Sequence, residues 1–158
     1  MNGPRVVVAA LLLGAAAGVL GAVRGANRLD RLHVRTDAAW GALDAALGRR
    51  ALAVSSLARP DAVSAADAAL RAAPGFREDV ENELGRVLVV LDRTGLAPAR
   101  AAQLADAEQR VVIARRVYND AVRDTLALRS HRMVRWLRLA GTAPLPHYFE
   151  IAEPTLPG

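Results

Sequence analysis

No cysteine occurs anywhere in the 158 residues, so a disulfide framework, a thiol nucleophile and a thiolate metal site are all excluded. Lysine is missing as well: every one of the 21 basic residues is an arginine. Together with the abundance of alanine, that is the mark of GC-rich codon usage, and it weakens any claim that arginine was chosen for two-pronged phosphate binding. Aromatic residues make up only 4% of the chain, and β-branched residues other than valine are scarce. Alanine and leucine dominate instead, so the local preference is strongly helical and an all-β fold is disfavoured.

Groups that carry catalysis are thin. The three histidines, His33, His131 and His147, are far apart in sequence. Only His33 has carboxylates at helical spacing, Asp30 three residues before it and Asp37 four after. Arg31 and Arg35 crowd the same turns, and surface ion pairs explain both aspartates, so no metal site is expected. Ser55-Ser56 lacks a strand-turn-helix elbow, and Gly85 and Gly95 stand alone, without a phosphate-cradling loop. No cofactor and no enzymatic turnover are expected.

What is present is positive charge and one long apolar run. The formal charge is +5, which favours acidic partners, anionic lipid or nucleic acid. Val6 to Val23 carries no charge over 18 residues; as a helix it covers roughly 27 Å, enough to span the hydrocarbon layer. A cleaved secretory signal is the rival, with small residues near Ala15–Ala17 or Ala22 as the cleavage point. Arg24, Arg28, Arg31 and Arg35 follow at once and read as a stop-transfer flank. The expectation is therefore a single-pass anchor in the cell membrane with the bulk of the chain on the cytoplasmic side. Gly14 and Gly18 form a GxxxG through which two such helices can approach, making a homo-oligomer one option.

The remaining chain reads as helices with short breaks. From Asn27 to Leu57, Leu29, Leu32, Trp40, Leu43, Leu47, Val54 and Leu57 share one face, with Thr36 and Ala51 in the gaps. Arg59-Pro60-Asp61 ends that helix and opens a short one to about residue 73. Pro74-Gly75 is a turn. A third helix over 77–93 buries Val80, Leu84, Val87, Leu88 and Leu91, with a solvated acidic start at Glu78, Asp79 and Glu81 and Gly95 as its stop. Pro98 opens the last and longest helix, whose seam runs through Leu104, Ala107, Val111, Ala114, Tyr118, Ala121, Thr125 and Leu128. Asn119 beside that seam is read as a buried hydrogen bond that fixes register. The organisation expected is thus a flank at 1–5, a transmembrane helix at 6–23, an all-α, up-and-down antiparallel four-helix bundle with coiled-coil-like seams over 24–140, and an extended proline-rich tail at 141–158.

The stretch RSHRMVRWLR spaces Arg129, Arg132, Arg135 and Arg138 three residues apart around Trp136. The soluble part of the first helix is about 35 residues, roughly 52 Å. A last helix that starts near residue 98 at the far end returns by the same distance to about residue 133. These arginines and Trp136 are therefore expected at the lipid surface, where anionic headgroups and the interface favour them. The alternatives are a solvated helix end, or a binding module that grips nucleic acid or a small ligand through the basic last helix; stacking residues for nucleic acid are few.

Several residues also give the chain a family likeness. Asn27-Arg28-Leu29 with Arg35, Trp40, Leu47 and Arg49-Arg50, then Glu81-Asn82 with Leu84, then Glu108 through Arg115 and Arg116 to Tyr118-Asn119, and finally Pro144, Pro146, Tyr148, Phe149 and Glu150, together resemble the LemA family of bacterial membrane-anchored helical proteins, over about residues 5–151. ALAVSSLA after Arg50, Thr125-Leu126 and Ser130-His131 depart from that family's usual pattern. The resemblance implies a four-helix bundle behind one N-terminal span, with no known enzymatic activity. The function expected is a membrane-tethered scaffold that holds an unidentified protein partner.

Overall fold

A computed structural model of the chain describes residues 3–137, 140–141 and 143–152. These form α-helices and one 3-10 turn, with no strand among the described residues: α1 Gly3–Ser55, α2 Pro60–Arg71, the turn Pro74–Phe76, α3 Arg77–Val90, α4 Pro98–Ser130 and α5 Arg132–Trp136. The fold is all-α, as its composition requires.

The helix α1 runs unbroken for 53 residues. No proline lies between Arg5 and Arg59, and each interior glycine costs a helix only about 1 kcal/mol. It stops where Ala58 takes a left-handed backbone, φ 54°, followed by extended Arg59 ahead of Pro60. Within α1 lies the one stretch among the described residues that is long and apolar enough to cross a membrane, and none of it is buried.

The chain divides into two compact units. The larger comprises Ala38–Asp120 with the tail from Tyr148. Its core takes Leu43, Leu47, Val54 and Leu57 from α1, Ala62, Ala66 and Ala69 from α2, Leu84 and Leu88 from α3, and Leu104 and Val111 from α4, all at most 5% exposed. Each fully buried leucine contributes about 1.5–3 kcal/mol. The alanine face of α2 lacks bulk, which lets α2 lie closely on α3. In this unit α1 and α4 run antiparallel, since Trp40 stacks beside Tyr118 while Arg49, further along α1, reaches Asp106, earlier in α4, through its charge.

The stop of α3 differs from expectation. It ends at Val90 because Leu91 is already extended, and Gly95 does not adopt the left-handed backbone of a C-terminal glycine. Asp92 forms the turn instead, its Oδ1 accepting from the Thr94 backbone N–H at 2.9 Å and from the Thr94 hydroxyl at 2.6 Å.

The smaller unit comprises the chain to Asp37 with Ala121–His147. Its helices meet at two threonines, Thr36 Oγ1 and Thr125 Oγ1, 3.0 Å apart. Each is satisfied along its own helix, Thr36 by the Leu32 carbonyl and Thr125 by that of Ala121, both at 2.9 Å. Leu29 and Val134 of this unit are also buried, 2% and 3% exposed. The last helix does not continue towards residue 140. Ser130 Oγ turns back to the Ala127 carbonyl at 2.8 Å, a local bond that competes with helix continuation, and after a bend at His131 only the short α5 follows.

Candidate functional site

Residues 143–152 of the tail have no regular secondary structure, and Tyr148–Ala152 is held firmly in the larger unit. Phe149 is 3% exposed, with its ring 5.8 Å from that of Trp40, which also faces Tyr118 at 5.4 Å. Edge-on aromatic contacts of this kind add about 0.5–1.5 kcal/mol beyond burial. Asn119 grips the same residue by both edges of its backbone: its Nδ2 donates to the Phe149 carbonyl at 3.1 Å, and its Oδ1 accepts the Phe149 N–H at 2.9 Å. Glu78 accepts the N–H of Glu150 at 2.9 Å and Asn82 that of Ala152 at 2.8 Å. Glu78 and Asn82 are one helical turn apart on α3, so one face of α3 and one residue of α4 read the tail backbone as a strap. The amide of Asn119 therefore fixes the tail, where helix register was expected. Among the quoted residues, Trp40, Tyr118 and Asn119 come together at this point.

The acidic start of α3 also departs from expectation. Glu81 is not solvated: it is 1% exposed. Its Oε2 accepts from Arg50 Nη2 at 2.5 Å, its Oε1 lies 3.3 Å from Arg77 Nε, and Arg77 Nη2 lies 3.1 Å from Asp44. Four charges of alternating sign thus link α1 to α3. Asp44 is exposed and the other three are buried; such a buried pairing adds little over an apolar core, but removing Arg50, Arg77 or Glu81 strands its partners at a cost of several kcal/mol. The signal was present in the sequence, since Arg77 and Glu81 are i,i+4 and Glu81 shares the face of Leu84 and Leu88.

Glu108 and Arg115, both of α4, lie elsewhere in the same unit. With Arg50, Arg93, Val111, Val112 and the tail residues Ile151 and Ala152 they line a cavity of about 280 Å³. Arg93 clasps Glu108 in a fork, two contacts of 2.8 Å, and that hydrogen bond holds its guanidinium above the ordinary value against the opposing effect of burial. Arg50 Nε is buried and has no hydrogen-bond partner among the described residues.

The basic stretch after α4 is divided. Arg129 is half-buried and donates to the carbonyls of Ala143 at 2.8 Å and Pro144 at 3.0 Å, so it ties down the start of the tail. Arg132, Arg135 and Trp136 lie on α5 and are exposed, Trp136 by 84%. Arg138 lies outside the described residues. Because α4 ends at Ser130, Arg132 and Arg135 lie on a separate short helix from Arg129. Among the described residues no group of histidines and carboxylates is placed to hold a metal. No family model, curated protein or solved structure matches the chain.

Proposed function

We propose that the chain is a membrane-tethered helical scaffold of the LemA type, without enzymatic turnover, whose cytoplasmic part folds as an up-and-down four-helix bundle and touches anionic lipid through α5. The observation that carries this reading is the character of α1. Val6, Leu11, Leu13 and Val19 are each 64–72% exposed in a helix that continues without a break into a well-buried core face. Water does not suit so large an apolar surface, and a bilayer does.

The pairing at Thr36 and Thr125 supports the reading of lipid contact. In an antiparallel pair meeting there, α1 leads back about 18 Å to Arg24 while the other chain leads on to Arg132 and Arg135 on the same side. Arginines at that level gain about 1 kcal/mol each from an anionic leaflet, and Trp136 favours the headgroup layer. The unidentified protein partner would be held by the bundle surface.

The test uses full-length protein with Trp40→Phe, so that Trp136 alone reports. Reconstituted into vesicles containing phosphatidylserine, its emission should lie to the blue of that in phosphatidylcholine, and R132Q/R135Q/R138Q should abolish the difference. Identical emission in both lipids would end the surface-contact reading.

A further inference from the structure

The cavity beneath the tail is lined by arginines from three separate parts of the chain: Arg50 of α1, Arg93 of the segment after α3 and Arg115 of α4. Arg93 is held by Glu108, which also lines the cavity, through both carboxylate oxygens. Glu81 neutralises Arg50 from one side, through Nη2, and leaves the buried Nε–H without an acceptor. A buried donor of that kind is rare in a folded protein and marks a place where something accepts. Apart from Gln109, the remaining walls, Val111, Val112, Ala105, Ile151 and Ala152, are apolar. Apolar walls with a few converging polar groups are the make-up of small-molecule sites, and guanidinium groups match the planar or tetrahedral oxygens of carboxylates and phosphates.

We infer that the cavity enclosed by Arg50, Arg93, Arg115 and the tail residues Ile151 and Ala152 is a binding site for a small organic anion, a carboxylate or phosphate monoester with a short apolar body. The anionic group meets Arg115 and the Arg50 Nε–H, and the body lies against Val111 and Val112. Because Ile151 and Ala152 form one wall, the site is complete only while the strap is seated on α3 and α4. Ligand and strap therefore stabilise each other.

The experiment is a titration of full-length protein in maltoside micelles, which carry no anion, with butyl phosphate, butyrate, inorganic phosphate and butanol, followed by calorimetry and by the side-chain Nε–H resonances of arginine. Butyl phosphate or butyrate should bind at least tenfold more tightly than inorganic phosphate, butanol should not bind, and the Arg50 Nε–H resonance should move at saturation. Arg115→Gln and the space-filling Ala105→Leu should each weaken binding at least tenfold, the second while leaving every charge in place. Comparable weak binding of all the anions by the native protein and both variants, or saturation without movement of the Arg50 resonance, would overturn the assignment. A preference for butyrate over butyl phosphate, or the reverse, supports it and separates the two anion types.

Discussion

The two ends of α1 are made of much the same residues and do opposite things. Residues 6–23 and residues 38–55 are both rich in alanine, leucine and valine, yet the first stretch is exposed along most of its length while the second buries Leu43, Ala46, Leu47, Ala51 and Val54 to 1% exposure or less. The difference lies in arrangement. Exposed charges at Asp44 and Arg49 set an outer face of the second stretch apart from its leucine-rich one, where Arg50 is buried against Glu81, so one side finds partners within the chain. The first stretch has no polar side, and it is long and apolar enough to cross a membrane.

The sharpest break is to remove the charge at the centre of the buried network. Glu81→Ala should cost about 3–5 kcal/mol in denaturant unfolding, because buried Arg50 is left without its counterion and Arg77 keeps only the exposed Asp44. Next comes a matched pair within α1. Leu43→Ala should cost about 2–5 kcal/mol, whereas Leu12→Ala should stay within about 0.5 kcal/mol, as exposed positions do; equal losses would erase the contrast between the two ends. A smaller loss is expected at the strap. Asn119→Ala should cost about 1–3 kcal/mol and raise amide exchange at Phe149 and Ala152 together, while exchange in Leu84 and Leu88 stays slow.

Two milder tests refine the account. Ala58→Gly should raise stability by up to about 1 kcal/mol, since a left-handed backbone strains any residue with a Cβ. Asp106 is held below its ordinary value of 3.8, first by its hydrogen bond to Arg110, as Asp92 is by Thr94. A depressed carboxyl contributes stability above the unfolded value and loses it as pH falls through the folded one. Asp106→Asn should therefore flatten stability against pH only below about 3.8, a small effect for so exposed a pair.

Much of the helical organisation was legible because it depends on local chemistry. Pro60 and Pro98 open α2 and α4, where a missing N–H costs nothing, and the three-and-four spacing of Leu104, Ala107, Val111, Ala114, Tyr118, Ala121, Thr125 and Leu128 marks the inward face, on which Ala114 and Leu128 are only partly buried. The stop at Gly95 was misplaced because an Asp92–Thr94 turn satisfies the helix end without a left-handed glycine. The break at Ser130 was missed because serine within a helix gives only a weak warning.

The site was less legible, for a different reason. Asn119 stood out as a polar residue beside an apolar seam, but its partner Phe149 is thirty residues away in sequence, and no periodicity announces a strap. Glu81 was hidden by its neighbours: among Glu78, Asp79 and Glu83 it reads as one more solvated acid, and only the arginine four residues before it and the leucine three after mark it as inward. The arginines around the cavity come from three elements, and only tertiary structure unites them.

The most direct test of the tether is alkaline carbonate extraction of membranes from cells producing the full chain, with the N-terminus of the product sequenced. An intact chain that stays in the pellet and needs detergent for release is the predicted result. Recovery in the supernatant, or a product beginning after one of the small residues between Ala15 and Ala22, would contradict it.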